Sequence, residues 1–370
     1  MSLRDVLDSS VRPAALVEPL DAARIRCVAC GHACPLPDGA SGVCKVRFNR
    51  GGTLYAPWGY VGGVQCDPIE KKPFFHAMPG ALAYSFGMLG CDLHCGYCQN
   101  WVTSQALRDP AAVAPPREVS PQALVADAIA QGARVMVSTY NEPLITAEWA
   151  VAIFEHARAA GLKTAFVSNG NATPQVLDYL TPWLDYYKVD LKSFDDRQYR
   201  TLGGRLAPIL DTIRALHERG IWLEIVTLLV PGFNDSRAEL ERLTTFIASV
   251  SPDIPWHVTA FHRDYKMRDP CDTTARDLLD AAAIGTRNGL RFVYAGNRPG
   301  DVGDREDTRC AACDAVLVAR TGYHVRAYRL TSDGRCPECG VHVPGRWAET
   351  FADQIADRPF LPDGRLRVLR

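Results

Sequence analysis

The stretch Gly90 to Trp101, GCDLHCGYCQNW, carries Cys91, Cys95 and Cys98 at C-x3-C-x2-C, with aromatic Tyr97 before the last cysteine. Three thiolates on one short loop suit three irons of a 4Fe–4S cubane. A closed cluster takes four cysteines, so three leave one iron open to chemistry. The competing reading is a distant fourth cysteine that completes a zinc or iron site. A second set, Cys27, Cys30, Cys34 and Cys44, falls in RCVACGHACPLPDGASGVCKVR. Gly31, Gly39 and Gly42 let that backbone wrap an ion. Tetrahedral zinc is the default for four such cysteines, and a second 4Fe–4S cluster is the alternative. His32 reads as a loop histidine that could also displace one cysteine. The third set, Cys310-x2-Cys313-x22-Cys336-x2-Cys339, places paired knuckles across a hairpin, the pattern of a zinc ribbon. These sets leave Cys66 and Cys271, expected as buried free thiols.

The elements that must position these residues are legible from periodicity. Ala83–Leu89 reads as a short buried strand running into the three-cysteine loop. Further strands are predicted at 135–139, 164–168, 186–191, 222–229, 256–260 and 292–295. Between them, Ser120-Pro121 and Thr173-Pro174 are N-cap and N1 pairs that open helices ending near Gln131 and Leu180. Leu240, Leu243, Phe246, Ile247 and Val250 form one apolar helical stripe. Pro231-Gly232 marks a turn, and Asp235 or Ser236 caps the next helix. Alternating strand and helix predicts an α/β fold, a partial TIM-like (β/α)6 barrel, with a doubly wound open sheet as the alternative. The predicted organisation is a Cys-rich metal-binding segment at 1–80, the barrel at 81–300, and a zinc ribbon and tail at 301–370. Residues 1 to about 24 read as a weakly helical leader, and 301–307 as a charged linker. Glu70-Lys71-Lys72-Pro73 and His76 read either as a solvated charge cluster or as a lip over the site.

Barrel enzymes work at the C-terminal ends of their strands. Polar residues recur at that end here: Asn141 and Glu142, Ser168 and Asn169, Asp190 and Lys192, then His257, Thr259 and His262. Their recurrence beside Cys91, Cys95 and Cys98 predicts one shared site. His257 and His262 are substrate-contact candidates, with a structural role as the alternative for each.

Composition sets limits. The chain has 370 residues, a formal net charge of −1 and 47% hydrophobic residues. That is ample for a large core and gives no electrostatic steering toward nucleic acid or an anionic membrane. The best apolar run, Ile221 to Val230, is too short to span a bilayer and carries Glu224. Asp5 and Asp8 stand where a signal peptide would be basic and then apolar. Thirteen cysteines in such pairs then read as metal ligands in a reducing cytoplasm, not as disulfides. The terminal run Arg365 to Arg370 is too short to argue for RNA binding.

The Cys91-Cys95-Cys98 motif resembles the signature of the radical S-adenosylmethionine (SAM) superfamily. The chain from about Cys27 to Trp347 is similar to one branch of it, the radical SAM enzyme of the AmmeMemoRadiSam system, related to pyruvate formate-lyase activating enzymes. The blocks that carry this are Asp67 to His76, Tyr84 to Gly87, Cys98 to Trp101, Asp190 to Phe194, Val230 to Gly232, and Trp256 to His262 with Tyr265 to Met267. The resemblance implies a 4Fe–4S cluster whose open iron is chelated by SAM. It also implies reductive cleavage to a 5'-deoxyadenosyl radical and hydrogen abstraction from a substrate. Glu142 would accept from the SAM ammonium, although Asn141-Glu142-Pro143 replaces the family's Gly-Gly-Glu. Ser168 and Asn169 would meet its carboxylate or ribose, and Asp190 and Lys192 match a SAM-contacting Asp-Leu-Lys. Implied partners are an electron donor such as flavodoxin or ferredoxin, and Memo-like and AMMECR-like proteins. The alternatives are an activase that makes a glycyl radical on a partner enzyme, and a zinc-ribbon binding protein with a degenerate barrel. The intact cysteines and Glu142 argue against the latter. Cysteines that lie before the motif, not after it, count against the former.

Overall fold

The computed structural model describes residues 3–21 and 24–347; the terminal basic run lies outside the described residues. One eight-stranded sheet organises them. Its strands are β1 (Gly63–Pro68), β2 (Leu82–Gly87), β3 (Val135–Ser138), β4 (Lys163–Ser168), β5 (Tyr186–Asp190), β6 (Trp222–Leu229), β7 (Trp256–Ala260) and β8 (Val293–Gly296). They lie in chain order from one edge to the other. Pairing from β2 to β8 is parallel, and β1 runs antiparallel to β2. A doubly wound sheet reverses its strand order at a switch point. Here the order never reverses, and β1 and β8 stay unpaired with each other, so the sheet is a partial barrel. Six strand–helix units precede the last strand, as predicted; the antiparallel β1 was not expected.

Both faces of the sheet are buried, with period two. Phe86, Met136, Phe166, Tyr187, Ile225 and Trp256 pack against helix residues such as Leu124, Phe154, Ile213, Leu243 and Leu278. Alternate residues Ala83, Val135, Val137, Ala165 and Tyr186 point the other way, onto Ile69, Phe74 and Ala77. That alternation is what side-chain geometry on a pleated strand requires. The caps also form as read: Ser120, Thr173 and Ser236 side chains accept from Ala123, Val176 and Glu239 backbone N–H groups.

The N-terminal segment is more than a helical leader. After the helix Leu3–Ser9 it forms two small three-stranded antiparallel sheets. Leu7, Leu16, Ile25 and Cys27 join the same apolar core as the barrel helices. A buried ion pair fixes the junction. Arg47, 1% exposed, meets Glu148 on helix Ala147–Ala159 through two hydrogen bonds of 2.7 Å. Glu148 also accepts from Leu16 N–H at 3.3 Å.

The segment after β1 crosses the bottom of the barrel, so Glu70 and His76 are buried and not solvated. Glu224 on β6 receives the N–H groups of Phe75 and His76, both at 2.9 Å, and pairs with His257 at 2.7 Å. Residues 301–307 are not a loose linker either. The 3-10 turn Gly303–Glu306 buries Glu306, which accepts from Gly300 and Gly322 N–H groups. The ribbon strands Thr308–Arg309, Val316–Thr321 and His324–Tyr328 follow. Leu317, Val318, Leu330 and Val343 of this module share a core with Phe75, Phe292 and Tyr294. Cys271 is exposed on the loop after β7 and Cys66 is half-buried on an edge strand, neither the buried thiol expected. Among the described residues no helix is long and apolar enough to cross a membrane.

Glu148→Ala leaves the Arg47 guanidinium buried without its partner. Breaking a buried pair this way costs about 3–5 kcal/mol. Denaturant unfolding of the variant should show a loss of that size, whereas a loss below about 1 kcal/mol, typical of a surface pair, would contradict the anchoring role.

Candidate active site

The chain leaves β2 at Gly87 and enters the three-cysteine loop at the C-terminal edge of the sheet. Gly87 has to be glycine: a Cβ there would lie 2.3 Å from Thr139 O and 2.8 Å from Tyr140 Cβ. That contact brings the loops after β2 and β3 together. Asn141 Oδ1 accepts Met88 N–H at 3.0 Å and its amide donates to Glu142 O at 3.2 Å, so Asn141 is a tether between these loops. Tyr140 takes a left-handed backbone, φ 69°, to make the turn. Strain of this kind in a non-glycine residue persists only where surrounding contacts enforce it.

Cys91, Cys95 and Cys98 line one cavity of about 360 Å³ with Asn141, Glu142, Ser168, Asn169, Asp190 and Lys192. Burial pushes all three thiols up, Cys95 to about 12. Cys98 Sγ lies 3.2 Å from Ser104 Oγ, and Leu93 N–H donates to Cys91 Sγ at 3.4 Å. Tyr97 packs edge-on against Phe233 and holds the loop to the segment after β6.

Glu142 sits at the centre of the polar wall. It accepts from Ser168 Oγ at 2.7 Å, Asn169 N–H at 2.8 Å and Leu144 N–H at 3.1 Å. Burial, with the charge of Asp92 behind it, pushes its carboxyl up to about 8. Asp190 is bonded to Lys188 and lies 3.4 Å from Lys192 Nζ. Burial opposes its ionisation, but the two ammonium groups hold it below the usual carboxylate range. Lys71, Lys72 and Pro73 also line the cavity, from the segment that crosses the bottom of the barrel.

The two histidines are not cavity-lining residues. His257 stands one residue into β7, at the end opposite the cysteines, where it pairs with Glu224 and stacks on Tyr294. His262 is exposed beyond β7, its ring facing Arg263 O. The structure thus places His257 in buried contacts with Glu224 and Tyr294 and His262 at the surface.

Asp92 and Asn171 are important residues that sequence reasoning missed. Asp92 is fully buried, accepting from Asn169 Nδ2 at 2.7 Å and Asn171 Nδ2 at 2.8 Å. Its backbone carbonyl accepts from His32 Nε2 at 3.1 Å, so His32 is a loop histidine joining two cysteine loops. Asn234, also missed, ties the loops after β5 and β6: it accepts from Val230 N–H and donates to Lys192 O.

Cys310, Cys313, Cys336 and Cys339 bring their sulfurs within 4.8 Å of one another and could hold one tetrahedral ion. Cys27, Cys30, Cys34 and Cys44 lie near one another: burial, with Cys27 close by, pushes the thiols of the other three up.

Fold and site together define an α/β partial barrel with a cysteine triad at the C-terminal ends of its strands. The radical SAM superfamily model matches residues 87–244. An uncharacterized protein of Methanocaldococcus jannaschii is 33% identical over 336 residues, covering 90% of this chain and 99% of that protein. Pyruvate formate-lyase-activating enzyme of Staphylococcus epidermidis is 28% identical over 50% of this chain and 76% of the enzyme. Isethionate sulfite-lyase activating enzyme of Desulfovibrio desulfuricans is 30% identical over 33% of this chain and 40% of the enzyme. The chain belongs to the radical SAM superfamily and is homologous to these activating enzymes.

The raised Glu142 pKa has a testable sign. The folded protein keeps a proton that the unfolded chain, near the ordinary value of 4.5, gives up. That contribution is present below the unfolded pKa and is lost as pH rises toward about 8. In metal-free and SAM-free protein, the melting temperature of wild type relative to Glu142→Gln should fall between pH 5 and 8. A pH-independent difference would mean that Glu142 is ionised when buried.

Proposed function

We propose that this chain is a radical SAM oxidoreductase. Cys91, Cys95 and Cys98 hold the 4Fe–4S cluster, and Glu142, Ser168, Asn169, Asp190 and Lys192 hold SAM. When bound, the cluster and SAM supply a 5'-deoxyadenosyl radical that abstracts hydrogen from a substrate in the barrel lumen. The observation that carries this is a single cavity with three thiols at its mouth and an uncompensated buried carboxyl in its wall. Such a carboxyl is completed by a cationic ligand group, and a charge-assisted bond to an ammonium is the strong form of that contact. Asp190 and Lys192 offer one acceptor and one donor for polar groups further along the ligand. The plug at 69–78 closes the far end of the lumen and keeps water from the reacting atoms.

The motif blocks from Asp67 to His76 and from Trp256 to His262 support membership of the AmmeMemoRadiSam branch. Memo-like and AMMECR-like proteins would then be the partners, and a flavodoxin or ferredoxin the electron donor. Identity to the activating enzymes supports a second reading, generation of a glycyl radical on a partner enzyme. In either reading, the Cys-rich part of 1–80 that precedes β1 braces the barrel, to whose sheet β1 itself belongs. The C-terminal quartet holds zinc.

Anaerobic incubation with SAM and reductant should yield 5'-deoxyadenosine. Cys91→Ala, Cys95→Ala or Cys98→Ala should abolish it, and SAM cleavage persisting in these variants would sink the site assignment. Glu142→Ala should keep the cluster and weaken SAM binding about ten- to a hundred-fold, the loss of a charged hydrogen bond. Unchanged affinity by calorimetry would remove Glu142 from the site. In the full chain, Cys313→Ser with Cys339→Ser should lose about one zinc and leave the iron content unchanged. Retained zinc would overturn the ribbon assignment.

A further inference from the structure

The three cysteine sets differ in how tightly their sulfurs gather. In the C-terminal set, Cys310 and Cys339 are 3.6 Å apart, as are Cys313 and Cys336. A zinc–sulfur bond of about 2.3 Å gives a tetrahedron with edges of about 3.8 Å, so these four sulfurs already outline a single-ion site. Among the described residues, no other group of three or more ligand atoms lies within 4.8 Å of one another. The Cys91-Cys95-Cys98 triad is wider than that, and so is the N-terminal quartet. Width is what a cubane needs. Each cysteine binds a different iron at a separate corner, so the sulfurs stand farther apart than around one ion.

Two of the N-terminal four nevertheless face a common space, and the other two lie close by. Cys34 Sγ and Cys44 Sγ lie 3.6 and 3.7 Å from where a Cβ on Gly42 would be. The absence of a side chain at Gly42 leaves the room facing both sulfurs open. Part of the wall is apolar, where Cys30 and Cys44 pack with Val46, Ile145 and Leu107, and the buried charges of Arg47 and Asp92 stand nearby. Cys27, Cys30 and Cys44 are all buried, whereas Cys313 and Cys339 of the C-terminal set are exposed.

This pocket is built against the loop of the triad. A Cβ on Gly90, the residue before Cys91, would come within 3.1 Å of Cys44 O. Arg108 clamps the two loops together, donating to Val43 O at 2.6 Å and to Leu93 O at 3.0 Å. His32 adds its bond to Asp92 O. A structural zinc site has no need of such closeness to a redox centre, while a second one-electron centre does.

We propose that Cys27, Cys30, Cys34 and Cys44 hold a second 4Fe–4S cluster, not zinc, packed against the loop of the first. The site goes beyond the radical SAM reading and does not depend on the substrate.

Metal and sulfide analysis of full-length protein, purified and reconstituted without oxygen, is the test. The expected content is about eight irons and about one zinc per chain. The triple variant Cys91→Ala, Cys95→Ala, Cys98→Ala should keep about four irons, with the Mössbauer signature of a 4Fe–4S cluster, and form no 5'-deoxyadenosine. The double variant Cys30→Ala, Cys44→Ala should keep about four irons at the triad. About four irons with about two zincs in the wild type would overturn the proposal, and that count decides it even if a variant fails to fold. Failure of the radical SAM reading looks different: iron would remain in the triple variant, and the double variant would lose all of it.

Discussion

A carboxyl held out of water without a positive partner is costly, and Glu142 is such a group. Its oxygens receive one hydroxyl and two backbone N–H bonds, and still burial keeps its proton on at neutral pH. The surrounding structure exists to hold it there. The loop after β3 presents it, the Ser168-Asn169 turn after β4 braces it, and Asp92 from the cysteine loop reinforces its need for a cation. A buried carboxyl with no cationic partner, its pKa raised by burial, marks a site whose partner arrives with the ligand.

Two further constraints make that arrangement possible. The parallel sheet aligns the C-terminal ends of seven strands, so residues far apart in sequence face one cavity. The opposite end is sealed by Phe74, by Phe75 and His76, whose backbone N–H groups Glu224 accepts, and by Arg320 from the C-terminal module. Arg320 donates to Phe75 O at 2.8 Å and lies over the Phe75 ring. The ribbon therefore acts on the barrel through packing, and its shared core explains why 301–307 is ordered rather than a linker.

Much of the barrel was legible because its signals are local. Period-two apolar runs marked the strands, and Ser-Pro and Thr-Pro pairs marked the helix starts. The cysteine spacing marked the candidate metal sites for the same reason: candidate ligands within one loop are close in sequence. What was not legible depends on distant pairing. Asp92 finds Asn169 and Asn171 across 77 and 79 residues, and Arg47 finds Glu148 across 101. No spacing announces such contacts. Nor did anything local show that β1 would run antiparallel along the edge of β2. His257 is a different case, because the signal was present. One residue into a strand is the end away from a barrel's active site, and polarity along the strand outweighs residue type.

The central claim is that Cys91, Cys95 and Cys98 would hold a cluster with one open iron for the amino acid end of SAM, and that Glu142 would accept an N–H of the SAM amino group. Pulsed electron–nuclear double resonance on the reduced protein, with SAM labelled with ¹⁵N at the amino group, tests this most directly. The account predicts a ¹⁵N coupling to the cluster that is lost in Cys95→Ala. A reduced cluster that shows no coupling to labelled SAM at saturation would contradict it.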